Sequence, residues 1–355
     1  MTEKTLEMTT DFDYDNLAEV CELGDILDFG KVFLPVLYAL VFAFGLVGNL
    51  LVVFALTNGG KKKSITDIYL LNLAFSDLLL VISLPVWIHY VVGDRHLGNI
   101  LCKSASALFF IGLFGGMFFV TVISIDRFLA IVRAAGSIHS RTVQHGVSTS
   151  LGVWTVAILA AVPQFMYTEQ VGGECTGNYP EVLQHMWPML RNLEANLFGF
   201  LFPFLIMSYC YLRILKTLLF CKNHKKGRAA KLILMVVVVF FIFWTPYNVL
   251  VCLETLNHYN FFTSCTLKRH LRFGLSVTET IALVHCCLNP FIYAFAGEKF
   301  RRYLYVLYVK CRAVFCGLDP RLGIPQAEVS LSKRESVMSS NFTSFSVDPE
   351  HSSLF

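Results

Sequence analysis

The sequence predicts an all-α membrane protein: a seven-transmembrane helix bundle followed by a short amphipathic eighth helix. Three observations carry that prediction. Only 15% of the 355 residues are charged and 55% are hydrophobic, whereas a soluble domain carries about 25% charged residues. Mean hydropathy is +0.59. The charges are gathered between apolar runs at 32–57, 65–92, 99–132, 147–167, 187–220, 229–257 and 270–296, each near or above the ~20 residues a helix needs to cross a bilayer.

Taken in order, the chain opens on an acidic arm, residues 1–31. It carries Glu3, Glu7, Asp11, Asp13, Asp15, Glu19, Glu22, Asp25 and Asp28, with Lys4 the one cation before residue 31. The arm lacks the basic start and short apolar stretch of a cleavable signal, so the first span is expected to serve as the insertion signal. Residues 32–296 form the bundle. Pro85, Pro163, Pro203, Pro246 and Pro290 are expected to interrupt helices at membrane depth, each removing a backbone hydrogen bond and kinking its helix. Gly112, Gly115 and Gly116 in the third span point to close helix packing; no strand precedes them, as a phosphate cradle requires.

The third span ends on Ser124-Ile125-Asp126-Arg127-Phe128-Leu129-Ala130-Ile131-Val132, after Leu108–Ile125 without an ionisable group. At mid-bilayer each charge would cost roughly 2.5–3.5 kcal/mol on insertion scales. Asp126 and Arg127 therefore mark a membrane face, either as a switch or as a helix end anchored by a snorkelling arginine. The loops carry Lys61-Lys62-Lys63, Arg133 with Arg141, Lys222-Lys225-Lys226-Arg228 and Lys299-Arg301-Arg302 on one side. The positive-inside rule makes that side cytosolic, with the N-terminus outside and the C-terminus inside.

Residues 297–317 begin with a mixed basic and apolar stretch that reads as a helix on the inner surface, and Cys311 and Cys316 there are candidates for palmitoylation. From 318 to 355 the chain is polar, serine-rich and expected to be disordered. Of eleven cysteines, Cys210, Cys252, Cys286 and Cys287 lie in apolar segments. Cys21, Cys102, Cys175 and Cys265 fall on the outer side, where disulfides persist.

One motif per span now gives the chain a resemblance. Gly48-Asn49, Leu73-Ala74-Phe75-Ser76-Asp77, Asp126-Arg127-Phe128, Trp154, Pro203 with Tyr211, Phe243-Trp244-Thr245-Pro246 and Asn289-Pro290-Phe291-Ile292-Tyr293 follow in that order. The pattern resembles the rhodopsin-like G-protein-coupled receptors. Asp77, a carboxylate inside an apolar span, needs a cation, a proton or hydrogen bonds. The resemblance implies an allosteric sodium ion there, with Asn49 and Asn289 as further ligands. It also implies an activation switch made of Asp126, Arg127, Tyr211, Trp244, Pro246, Asn289, Pro290 and Tyr293. Phe128 departs from the usual Asp-Arg-Tyr triplet and leaves the charge pair intact.

The fragment Asp126–Val132, Ser83-Leu84-Pro85 with Trp87, Val277-Thr278-Glu279 and His285-Cys286-Cys287-Leu288-Asn289-Pro290 are similar to the chemokine receptors. Gly45–Asn58, Ser64–Ala74, Arg141–Val147, Pro180–Gln184, Cys221–Lys226 and Ala294–Tyr305 resemble the fractalkine-type branch of that family. The resemblance pairs Cys102 with Cys175, and Cys21 with Cys265. It implies a basic chemokine, fractalkine by branch, steered onto the acidic arm, with Tyr14 among acidic neighbours as a sulfation site. Glu279 lies about 15 Å of helix rise from Asn289, and is suited to a ligand ammonium group. Tyr38, Trp87, Tyr90, Phe109 and Tyr247 are candidate aromatic walls of that pocket. Adjacent His285, Cys286 and Cys287 diverge by about 100° each on a helix, unlike an i,i+4 ligand pair, which argues against any metal beyond sodium.

The implied partners are an inhibitory-class heterotrimeric G protein, then receptor kinases and arrestin. Ser330, Ser332, Ser336, Ser339, Ser340, Thr343, Ser344 and Ser346 are the candidate phosphorylation sites. The resulting function is chemokine reception driving leukocyte chemotaxis and adhesion. An alternative keeps the fold and loses the G protein: a scavenging receptor that internalises ligand through arrestin, for which Phe128 is the support. An enzyme is disfavoured because no motif pairs a nucleophile with a base. A transporter would need inverted repeats or a charged pathway. An opsin needs a lysine between Lys268 and Lys299, and an amine receptor an aspartate at Phe109; neither is present.

Overall fold

The computed structural model describes residues 24–58, 64–93, 97–133, 142–172, 174–183, 186–220, 224–258, 261, 264–296, 300–301, 304–306, 308–309 and 312. Seven helical segments among them are long and apolar enough to cross a membrane. They begin with α1 (Gly24–Asn58), α2 (Ile65–Val92), α3 (Asn99–Val132) and α4 (Val143–Tyr167). A β-hairpin of β1 (Thr168–Val171) and β2 (Glu174–Gly177) follows. The fifth span is α5 (Met186–Asn196), a π turn (Leu197–Leu201) and α6 (Phe202–Phe220); the sixth is α7 (His224–His258). The seventh is split into α8 (Cys265–Leu283) and α9 (His285–Ala296).

The bundle is apolar outside and partly polar inside, the reverse of a soluble protein. On α1, Val36, Leu40, Val47, Leu50 and Phe54 face outward, while Val41, Asn49 and Val52 are buried. Both stripes are apolar apart from Asn49, so the helix suits lipid on one side and protein on the other. Asn49, Ser76, Asp77, Ser83, Ser124, Thr280, His285 and Asn289 are all buried. Many interior hydroxyls bond within their own helix, as Ser83 does to the Leu80 carbonyl and Thr121 to the Met117 carbonyl, which satisfies them without water.

Local chemistry sets the helix ends. Ser64 Oγ accepts from Asp67 N while Asp67 Oδ2 accepts from Ser64 N, a reciprocal cap that starts α2. Thr142 Oγ1 accepts from His145 N and starts α4. The expected close packing of the third span is present. A Cβ on Gly112 would stand 2.6 Å from Leu80 N and 2.7 Å from Ser76 O, so α2 and α3 touch backbone to backbone.

Pro85, Pro163, Pro246 and Pro290 lie inside helices as expected, and so does Pro35. Pro203 differs: it is the second residue of α6, directly after the π turn. Proline offers no N–H and its ring would meet the carbonyl four residues back, here that of Gly199. The chain widens instead, with Phe202 N bonded to Leu197 O. The seventh span breaks at Val284, whose N–H reaches Ile281 O while Cys287 N reaches Val284 O. A straight-helix rise from Glu279 to Asn289 therefore does not apply.

Beyond α9, residues 300–301, 304–306, 308–309 and 312 are helical. Phe300 is buried and Leu304 packs on the bundle, while Arg301, Tyr305, Tyr308 and Arg312 are exposed. Tyr14, Cys21, Cys311, Cys316, the 318–355 tail with its serines and Thr343, and the Tyr293 side chain lie outside the described residues.

Candidate functional site

The hairpin end of the bundle holds the first set of candidates. Cys102 near the start of α3 is bonded to Cys175 on β2, with Cα atoms 5.8 Å apart. Lys103 Nζ pairs with Glu169 Oε1 at 2.9 Å, and Gly98 N donates to Gln170 Oε1. The Asn178 amide first, and then the Lys103 ammonium, hold the half-buried Glu169 carboxyl below its usual range. Cys265 is also in a disulfide; Cys21, its implied partner, lies outside the described residues. These ties fix the hairpin over one end of α3.

Aromatic walls stand next to the hairpin. Tyr90 Oη accepts from Cys175 N at 3.2 Å, and the Trp87 ring meets Tyr90 edge-on at 6.0 Å. Trp87 Nε1 is buried without a hydrogen-bond partner. Glu279 on α8 is within electrostatic reach of Tyr38 on α1, Tyr247 on α7 and Arg191 on α5. Sequence reasoning missed Arg191, although a lone cation inside an apolar span is a visible signal. Phe109 is set against Phe110 and Tyr247 against Trp244; both pack on the core.

From Tyr247 the contacts lead inward. Trp244 Nε1 donates to His285 Nδ1 at 3.2 Å, and Phe240 lies against both rings. Sequence reasoning did not name His285 as the partner of Trp244, since it lies 41 positions away. Pro246 follows two residues later, where α7 loses a backbone bond.

At the opposite end, Arg127 closes on Asp126 through Nη2 at 2.6 Å and Nε at 3.2 Å. Thr66 Oγ1 donates to the same oxygen, Asp126 Oδ2, at 2.9 Å, a partner from α2 that the sequence did not signal. Tyr211 is buried near Ser124 and the Arg127 charge. Phe128 is buried against Tyr209 at 5.8 Å, with Arg133 over its ring. An apolar ring fits that place. Trp154 Nε1 donates to Asn72 Oδ1 at 2.8 Å and so joins α4 to α2.

Between the two ends lies Asp77, 2% exposed. Its Oδ2 accepts from Asn289 Nδ2 at 2.8 Å. Asn49 Nδ2 donates to the carbonyls of Gly45 and Cys286, and Asn49 Oδ1 is buried without a partner. Two of the three expected sodium ligands thus touch, and the third leaves an acceptor open nearby. The fit to sodium is partial, because the remaining donors are not oxygens. Asp77, His285 and Cys286 bring a carboxylate oxygen, an imidazole nitrogen and a sulfur within 4.8 Å of one another. Divergence along one helix speaks against a metal at His285, Cys286 and Cys287 alone, and Asp77 brings a further donor type from α2.

Comparison with known proteins agrees with this arrangement. Residues 48–293 match the family described as 7 transmembrane receptor (rhodopsin family). CX3C chemokine receptor 1 of Oryctolagus cuniculus is 63% identical over 346 residues, covering 98% of this chain and 97% of the relative. CX3C chemokine receptor 1 of Homo sapiens is 63% identical over 336 residues, covering 95% of each. C-C chemokine receptor type 4 of Homo sapiens is 46% identical over 314 residues, covering 86% of this chain and 87% of that one.

Proposed function

The chain belongs to the rhodopsin family of seven-transmembrane receptors and, within it, to the chemokine receptors; from that premise we propose that it receives fractalkine and passes the signal to an inhibitory-class heterotrimeric G protein, driving leukocyte chemotaxis and adhesion. The single observation that carries the proposal is the line of rings from Tyr247 through Trp244 to His285, with the Glu279 charge acting on Tyr247. It joins the charged and aromatic residues toward the hairpin end to the polar interior of the bundle.

The acidic N-terminal arm faces the outside of the plasma membrane, and the basic loops and C-terminal tail face the cytosol. The globular body of the chemokine docks on the arm, helped by sulfated Tyr14, and its tip enters between Trp87, Tyr90, Phe109, Tyr38 and Tyr247. There a ligand ammonium meets Glu279. A ligand that binds one arrangement more tightly shifts the population toward it. Trp244 turns at the Pro246 kink, Arg127 leaves Asp126 for Tyr211 and Tyr293, and the cytosolic end opens. Sodium at Asp77, Asn49 and Asn289 would favour the closed state by supplying charge to that buried carboxylate. Kinases then phosphorylate the tail, arrestin binds, and palmitoyl groups on Cys311 and Cys316 hold the amphipathic helix to the membrane.

The test is binding of membrane-tethered fractalkine, beside a panel of other chemokines, to cells expressing the full chain, with inhibitory G-protein activation read in parallel. Fractalkine alone is expected to bind tightly and to activate. Internalisation without nucleotide exchange would replace this function with the scavenging one, and preference for another chemokine would overturn the ligand.

A further inference from the structure

We propose that Asp77, His285 and Cys286 form a binding site for one soft divalent cation of the zinc class, inside the bundle and next to Trp244. The three donors converge from two helices, Asp77 from α2 and the other two from α9, within 4.8 Å of one another, and all three residues are buried. His285 Nδ1 stands 3.9 Å from Cys286 Sγ and also faces the Ala282 carbonyl and Trp244 Nε1, contacts that the ion would replace. Bonds of about 2.0–2.3 Å to a tetrahedral ion place ligand atoms about 3.3–3.8 Å apart. Closing the set thus takes side-chain shifts on the order of 1 Å, and no backbone change.

Core packing explains each residue singly but not the set. Asp77 has one oxygen bonded to Asn289. A hydrophobic interior has no need for a thiol, an imidazole and a carboxylate pointing together. An independent observation also points to a ligand. Asn49, fully buried, is bonded through Nδ2 to the Cys286 carbonyl, and its Oδ1 has no hydrogen-bond partner among the described residues. That oxygen supplies the fourth position, directly or through a water.

The donor types select the ion. Sodium, magnesium and calcium are held by oxygen, whereas thiol and imidazole favour zinc and its neighbours. On binding, the Cys286 thiol gives up its proton to solvent and a sulfur–metal bond forms. Because Asp77 is shared, sodium and the soft ion exclude each other. The bound ion ties α2 to α9 just past the Val284 break, and it takes up the same imidazole that accepts from Trp244.

Cobalt is the probe, since thiolate ligation gives it a charge-transfer band in the near ultraviolet. Full-length protein in nanodiscs, with one cooperative unfolding transition, is titrated with Co²⁺ and then with Zn²⁺. One Co²⁺ per chain is expected to bind with that band, and Zn²⁺ is expected to erase it. Cys286→Ser is expected to abolish the band, while Cys252→Ser keeps it. His285→Gln and Asp77→Asn, which retain the sulfur, are expected to weaken Co²⁺ at least roughly tenfold. They decide the matter if Cys286→Ser does not fold. A folded wild type without a saturable band overturns the site. So does a band that survives Cys286→Ser, or an affinity that His285→Gln and Asp77→Asn leave unchanged.

Discussion

Glu279 acts electrostatically on Tyr38 and Tyr247 and is itself acted on by Arg191, and removing its charge is expected to alter ligand recognition more than folding. Glu279→Gln is expected to lower fractalkine potency by about 30- to 160-fold, as loss of a desolvated charge pair of roughly 2–3 kcal/mol does. Surface expression should be unchanged, as concentration–response curves beside flow cytometry would show; unaltered potency would remove Glu279 from the site. Glu169 carries a pH prediction. Asn178 and Lys103 favour its ionised form in the folded hairpin, so the contact stabilises above the ordinary carboxylate pKa. It is lost as pH falls through the lowered value. Amide exchange across 168–177, corrected for its intrinsic pH dependence, should show protection falling on acidification in the wild type. The Glu169→Gln protein should show no such step.

At the scale of elements, the α2–α3 contact is set by Gly112, whose missing side chain lets the Leu80 and Ser76 backbones approach. Gly112→Ala is expected to destabilise the bundle by about 1–3 kcal/mol, read as a lower melting temperature in nanodiscs; an unchanged melting temperature would contradict backbone-to-backbone packing. The Gly112, Gly115 and Gly116 group was legible in the sequence because small residues have few other uses in a span. The proline positions were mostly legible too. The π turn at Leu197–Leu201 was not, because Pro203 signals a disrupted helix but not whether the chain kinks or widens before it. The Val284 break has no proline or glycine beside it, so nothing local announces it. Asn72→Ala should lower stability by roughly 0.6–1.7 kcal/mol, the range of interhelical hydrogen bonds in lipid, by freeing Trp154 Nε1. A matching loss in Trp154→Phe, without further loss in the double variant, would assign it to that bond.

For the molecule as a whole, seven spans and their end charges could be read directly, since length and apolar composition are local properties. Tertiary meetings could not. Arg191 with Glu279, His285 with Trp244 and Thr66 with Asp126 each join residues from different helices, and no spacing rule encodes them. The central claim is that binding at the hairpin end acts on the Asp126–Arg127 pair at the other. Nucleotide exchange on a purified inhibitory G protein, stimulated by fractalkine with the receptor in nanodiscs, tests it most directly. Wild type is expected to raise the exchange rate severalfold, while Arg127→Ala binds fractalkine with near-normal affinity and gives no rise. Equal exchange from both proteins, or none from a wild type that binds fractalkine, would contradict the account.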